Sequence, residues 1–479
     1  MIADCPLNES SKETKKHKYS QKPSTTFGIV VSSPSNATIE RLPLMNTRTW
    51  ILLLALLHLL LATGYAFVTP YRTAGIIAVS QTKANDIGAP DERQHANYID
   101  YLLRERSFPV FSPHDPNLYE TYQSHQPPLY YLAAAGWSSL VQGSEPTLPS
   151  AGFLLRFFNC IVGAVAIVGV SCLAYWTTNN KVTAVIAAGF AALLPMNLAL
   201  SGAVSNDPML IALGTWCLAF CASLARHGWS IKKALFIILL ASCAILTKTT
   251  AIALLPVVLL TLLISDRSIP IQTRLTRCVA VCGAIVLIAL PWWLRNQRLY
   301  GDPFAIKAFN QAFVGSMQAE RMTEIAGGVL NYWIQKVGLG TMCSFFGVFG
   351  YWDIWLPLQV YVIMVLTFAG MAIGWVLYLK TDPDSHIAHW INGAFLLLIV
   401  ASFIRFNMQY FQAQGRYLLP AIGPLAVGLG CGMTYLSRNR VKVVALSLGI
   451  LMVGLNFFIL STLPHAFANR IAAAQSAVK

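Results

Sequence analysis

Apolar runs near twenty residues recur along this chain, and each is long enough to cross about 30 Å of hydrocarbon as a helix. Away from water every backbone N–H and C=O must be satisfied within its own segment, so such runs fold as helices. The expected runs are 50–68, 152–177, 183–200, 209–225, 234–247, 251–264, 278–294, 356–379, 388–404, 418–436 and 441–460. The fold class expected is therefore an all-α polytopic membrane protein with about eleven transmembrane helices. Charged residues make up only 11% of the 479, against about 25% in soluble domains.

The net charge of +14 raises the question of nucleic acid, and its distribution answers it. Seven Lys and Arg lie before Thr49, and most others sit in short loops between apolar runs. That pattern sets membrane orientation, and no nucleic-acid partner is expected. The ten cysteines mostly fall inside apolar runs, with no CxxC or Cys/His ligand spacing, and read as small packing residues. Residues 1–48, rich in Ser, Thr and Lys, read as a disordered cytoplasmic tail. A transmembrane domain over 49–464 and a short tail over 465–479 complete the division.

Two further apolar stretches, 128–141 and 338–352, are nearer fifteen residues and are broken by Gly, Ser or Trp. If neither spans, five inner loops hold eleven Lys and Arg on the side of the basic N-terminal tail. If only 128–141 spanned, those loops would flip outward, against the positive-inside rule. Both stretches therefore read as outer-face juxtamembrane or re-entrant helices. The N-terminus is expected inside and the C-terminus outside, in a bacterial cytoplasmic membrane rather than the endoplasmic reticulum.

This topology gathers the distinctive polar residues on the outer face. They fall in the first outer loop 69–151, the turn "SGAVSNDP", a lid-like loop over 295–355 and "IRFNMQYFQAQGRY". In "APDERQHANYIDYLL", Asp91, Glu92 and His95 share one helical turn after Pro90. Asp91 with Gln94 also fits a capping box, so a cap and a functional role both stand. His125 and Gln126 precede Pro127-Pro128; Tyr130 suits either an aromatic belt or a substrate contact. Asp207 is one acid at the lip of two apolar runs, a placement that usually marks function. Lys248, Arg295, Arg298 and Arg416 lie at outer helix ends, where positive charge is unusual; for Arg298 snorkelling to lipid suffices. Acids beside cations suit a phosphate-linked substrate, with Lys or Arg on the phosphate and carboxylates handling a hydroxyl or a metal.

"PDERQHANYIDYLLRERSFPV", "HQPPLYYL", "SNDPML", "ILTKTTAIALLPVVLL", "PWWLRNQRLYGDP" and "QGRYLLPAIGPLAV" occur in that order. Together they resemble the membrane glycosyltransferases of the GT-C class. The nearest relatives are family 39-like enzymes, protein O-mannosyltransferases and lipid A aminoarabinose transferases. The resemblance runs from about residue 50 to 460. It implies a polyprenyl- or dolichyl-phosphate-linked sugar donor, an acceptor glycan, lipid or protein, and inverting transfer outside the cytoplasm. It assigns Asp91, with Glu92 beside it, as general base or metal ligand, and Asp207 as the acid of the second outer loop. Lys248 and Arg416 fall at phosphate-binding positions; His95, His125, Gln126, Tyr130, Arg295 and Tyr417 complete the expected substrate contacts. His125-Gln126 stands where some relatives carry a Lys. A divalent cation on Asp91 and Asp207 suits hard oxygen ligands, though no pattern demands one. Two other functions remain in view: a flippase for lipid-linked sugars, disfavoured because the charges crowd the outer edge rather than the midplane, and a non-catalytic assembly partner.

Overall fold

The computed structural model describes residues 46–74, 86–142 and 149–477. The tail expected over 1–48 lies, apart from its last three residues, outside the described residues.

Helix α1 (Thr47–Val68) leads to a short pairing of Thr73–Ala74 with Asp86–Ile87, then α2 (Glu92–Glu105) and α3 (Leu118–Thr121). Helix α4 (Leu129–Gln142) covers the apolar stretch expected at 128–141, and α5 (Pro149–Thr178) follows. Next come α6 (Lys181–Leu193), α7 (Pro195–Ser201), α8 (Asp207–His227), α9 (Ile231–Ile245) and α10 (Leu254–Ile264). Helix α11 (Ile271–Tyr300) ends at Gly301, whose φ of 67° is the left-handed cap that glycine adopts without strain.

The loop expected over 295–355 is largely helical, because its apolar residues have partners to pack on. It holds α12 (Ile306–Ala312), α13 (Ala319–Ile325), α14 (Val329–Asn331), a π-helix Tyr332–Leu339 and α15 (Gly340–Gly347). A hairpin then pairs Val348–Phe349 with Ile354–Trp355. The chain closes with α16 (Leu358–Leu379), α17 (His386–Asn407), α18 (Ile422–Ser437) and α19 (Val441–Ala477). The tail expected at 465–479 is a correction: α19 runs through it to Ala477, and Arg470 reaches Asp353 at 3.3 Å beside the hairpin.

This is a multi-pass membrane protein. Among the described residues, seven helical runs are long and apolar enough to cross a bilayer, or eight if the bent pair α6–α7 is one span. The count of eleven is not confirmed, for physical reasons. Helices α9 and α10 have 15 and 11 residues, short of the ~20 that a span needs.

The 64° bend between α6 and α7 follows from Pro195, which has no N–H to give Ala191 four residues back. Three side chains meet the freed carbonyls. Asn197 Nδ2 donates to Ala191 O at 2.8 Å, His58 Nδ1 to Ala192 O at 2.9 Å, and Asn456 Nδ2 to Leu193 O at 2.9 Å. Elsewhere small residues bring helices into contact: a Cβ on Gly432 would lie 1.8 Å from Met371 O, so α16 and α18 meet backbone to backbone.

Candidate active site

The turns at one end of the bundle converge. Glu92 accepts from Val204 N at 2.8 Å, Leu129 N donates to Leu246 O at 2.9 Å, and Phe111 N donates to Tyr300 Oη at 3.1 Å. Between these turns lies a cavity of about 440 Å³. Its polar lining includes Asp91, His95, Gln126, Asp207, Lys248 and Arg416, and its apolar lining Phe309, Phe313, Ile399, Phe403 and Phe406.

Asp91 sits at the N-cap position of α2 with φ 66° and ψ −1°, and its side chain makes no cap hydrogen bond. The capping-box reading is therefore a correction. The left-handed backbone costs a residue other than glycine about 1–2 kcal/mol, and Asp and Asn bear it best. That conformation leaves the carboxylate to the cavity instead of the helix end. Tyr122 Oη donates to Oδ1, Arg416 Nη2 donates to Oδ2, and the Asp91 N–H reaches Tyr351 Oη at 3.3 Å. Burial pushes the Asp91 carboxyl upward, but Arg416, the Tyr122 hydroxyl and His95 outweigh it and hold it below the usual carboxylate value.

Asp207 opens α8 directly before Pro208, a residue tolerated in a first turn because its missing N–H would be unpaired there. Lys248 Nζ lies 2.5 Å from Asp207 Oδ1, and Ser205 Oγ donates to Oδ2 at 3.3 Å. The turn is fastened from α5, where Asn159 Nδ2 donates to Ala203 O and Ser205 O, and from Thr247, whose carbonyl accepts from Asn206 at 3.3 Å.

Arg416 follows Gly415, where a Cβ would fall 2.2 Å from Phe345 N. Only glycine lets this strand of chain lie on α15, and Gly415 N–H donates to Ser344 Oγ at 2.7 Å. Its guanidinium also stacks 5.2 Å above the Tyr417 ring. His95 is buried and hydrogen-bonded to Tyr131 Oη at 2.8 Å; burial lowers its imidazole to about 3. His125 donates from Nδ1 to Tyr122 O, and burial lowers it to about 4. Both rings are neutral near pH 7.

The structure thus brings together Asp91, His95, His125, Gln126, Asp207, Lys248, Arg416 and Tyr417. Three expected residues are elsewhere. Glu92 does not reach the cavity: it is 3% exposed, with Arg156 Nε on Oε1 at 2.7 Å and Nη2 on Oε2 at 2.6 Å. Tyr130 is fully buried against Tyr131 and Phe158. Arg295 stacks 4.6 Å over Trp292 and donates to Pro109 O at 2.8 Å, fastening the first loop. The sequence reading passed over Tyr122, Tyr351 and Arg156. Arg156 carried a signal, being a lone cation about two turns into a long apolar helix.

A metal fits poorly here. Each candidate carboxylate is already matched by a cation, and no group of three or more His, Cys, Asp or Glu suited to a metal occurs among the described residues.

Residues 76–306, a little under half of the chain, match the family model of the dolichyl-phosphate-mannose-protein mannosyltransferases. The oligosaccharyltransferase of Archaeoglobus fulgidus, solved with zinc and sulfate, aligns over 86% of this chain and 53% of its own, at 16% identity and a TM-score of 0.52. ArnT from Cupriavidus metallidurans, bound to undecaprenyl phosphate, aligns over 90% of this chain and 72% of its own, at 16% identity and a TM-score of 0.50. The chain has the GT-C glycosyltransferase fold. It spans about half the length of the oligosaccharyltransferase. No curated protein matches the sequence. In this GT-C fold the matched region 76–306 contributes Asp91, His95, Asp207 and Lys248 to the cavity, while Arg416 and Tyr417 enter from beyond it.

Proposed function

We propose that this protein is an inverting glycosyltransferase that moves a sugar from a polyprenyl- or dolichyl-phosphate-linked donor to an acceptor hydroxyl. The observation that carries this reading is one cavity lined by two carboxylates, two cations and a set of apolar, mostly aromatic, side chains. A lipid-linked phosphosugar has matching parts: a reacting anomeric carbon, an anionic phosphate and an apolar tail. The family match over 76–306 and the fold support the same class of chemistry.

In this scheme Asp91 removes the acceptor proton. Asp207, fixed by Lys248 and Ser205, orients the acceptor or the sugar. Arg416 and Lys248 take the phosphate, which leaves as a stable anion and needs no strong acid to expel it. Gln126, His95, His125 and Tyr417 bound the space as neutral polar groups, with Asp91, Asp207, Lys248 and Arg416 the charged ones. Glu92 takes no part in the chemistry; with Arg156 it holds Asp91 and the Val204 turn in place. No step is routed through a metal.

We place the cavity on the extracytoplasmic side of a bacterial cytoplasmic membrane, with the N-terminus cytoplasmic. The transmembrane domain is assigned to 49–464, with α12 to α15 covering the cavity as a lid. Incubating the purified protein with labelled prenyl-phosphate sugars and a membrane extract tests the reading. Transfer of label to a non-donor molecule supports it, and label retained on every donor counts against it.

A further inference from the structure

The charges of the cavity cancel in pairs, Asp91 with Arg416 and Asp207 with Lys248. Of the residues lining it, Lys248 and Arg416 are the cations once the imidazoles are neutral, and each is committed to a carboxylate. An incoming phosphodiester therefore competes with a carboxylate for the cation it binds. A general base whose oxygen already accepts from a guanidinium is a weaker base and a more crowded acceptor for the incoming hydroxyl. These two conflicts have one common solution.

Arg416 is held mainly through Nη2, which donates to Asp91 and lies 3.5 Å from Tyr417 Oη. Its Nε is buried without a hydrogen-bond partner, and its Nη1 reaches Pro90 O at only 3.4 Å. The flat ring of Tyr417 beneath it allows the guanidinium to slide without losing its contact. Asp91 is held by other groups. Its N–H lies on Tyr351 Oη, its carbonyl accepts from His95 N at 3.1 Å, and Tyr122 Oη holds Oδ1. Losing Arg416 would leave Asp91 in place with Oδ2 open.

The geometry points to Arg416 as a guard on Asp91: without donor it occupies Oδ2, and the arriving phosphate takes its guanidinium and uncovers that oxygen for the acceptor. The exchange is favourable because an Arg fork binds two phosphate oxygens at once. It imposes an order in which the acceptor proton cannot be removed until the donor is bound. This inference rests on the reading that the cavity takes a prenyl phosphate. Lys248 does not act as a guard, since its ammonium can stay on Asp207 and still offer further N–H groups to a phosphate.

Binding of undecaprenyl phosphate to the purified full-length chain, with no sugar transfer involved, tests it. Removing the charge of Asp91 frees Arg416, so Asp91→Asn should bind the lipid phosphate about tenfold more tightly than the wild type, a change within the usual coupling of contacting groups. Arg416→Gln should weaken binding, and in that background Asp91→Asn should change affinity by less than about twofold. If the wild type binds and Asp91→Asn leaves affinity unchanged or weaker, the guard is wrong. It is equally wrong if Asp91→Asn tightens binding as much in the Arg416→Gln background, since the gain is then only the loss of a negative charge. Should Arg416→Gln fail to fold, Arg416→Lys keeps the charge without the fork and must reduce the Asp91→Asn gain; an undiminished gain overturns the proposal. A wild type that binds no prenyl phosphate contradicts the functional reading itself, and so is distinguishable from failure of the guard.

Discussion

At the scale of single residues, Asp91 is defined by its backbone as much as by its carboxyl group. A left-handed residue at a helix start turns its side chain off the helix end, and here that direction is the cavity. Asn tolerates the same conformation, so Asp91→Asn should keep the fold and lower transfer by about 10²–10⁴-fold, the usual worth of a general base. Normal thermal unfolding with lost turnover is the expected pair of results, and full turnover removes Asp91 from the chemistry. His95 carries a second prediction. Its folded value of about 3 lies below the ordinary 6.5, because burial, with Lys248 and Arg416, outweighs the pull of Asp91 and Asp207. The unfolded chain therefore binds more protons, so this contribution is intact above pH 6.5 and is lost as pH falls toward 3. His95→Gln should make the unfolding temperature fall less steeply between pH 7 and 5. Much of the cavity's charged lining was legible in sequence, since Asp91, Asp207, Lys248 and Arg416 are charges where an apolar chain has few. Glu92 was not, because adjacent residues in a first turn diverge and only the distant Arg156 decides where Glu92 goes.

At the scale of elements, the Glu92–Arg156 pair joins four pieces of chain. Arg156 also donates to Ala66 O and Thr69 O at 2.7 Å and to Pro70 O at 2.9 Å, tying the end of α1 to α5. Glu92 ties α2 to Val204 and so to the turn that carries Asp207. Breaking a buried pair strands one charge, which costs about 3–5 kcal/mol. Glu92→Gln should therefore unfold at clearly lower denaturant concentration, measured by circular dichroism in detergent, and by more than Asp91→Asn, whose carboxylate is 24% exposed against 3% for Glu92. Equal stability of Glu92→Gln and wild type would show that the pair does not brace these turns. Most helices were legible from apolar runs alone, α4 over the stretch 128–141 among them. The bend at Leu194 was harder to foresee, since one Pro in an apolar run marks either a kink or a span boundary. Here the capping of Ala191, Ala192 and Leu193 by Asn197, His58 and Asn456 settles it as a bend, and those partners lie up to 263 positions away in the chain. The helices within 295–355 were hidden for a related reason: short amphipathic pieces form only against their neighbours.

At the scale of the whole molecule, the bundle places every cavity-lining charge at one end and leaves generic basic turns at the other. The proposed orientation makes this checkable. A cysteine at the exposed Arg321, on the cavity side, should react with a membrane-impermeant maleimide from outside intact cells, and one at the exposed Arg440 should not. The reverse labelling pattern would turn the protein over. The central claim is that the two ion pairs and the aromatic wall form one site for sugar transfer from a lipid phosphate. It is tested most directly by following label from a prenyl-phosphate sugar, in purified protein with membrane extract, for wild type and Asp91→Asn side by side. The account predicts labelled acceptor with wild type and almost none with Asp91→Asn. Equal labelling by the two proteins, or a wild type that carries the lipid across the bilayer without breaking the sugar–phosphate bond, would contradict it.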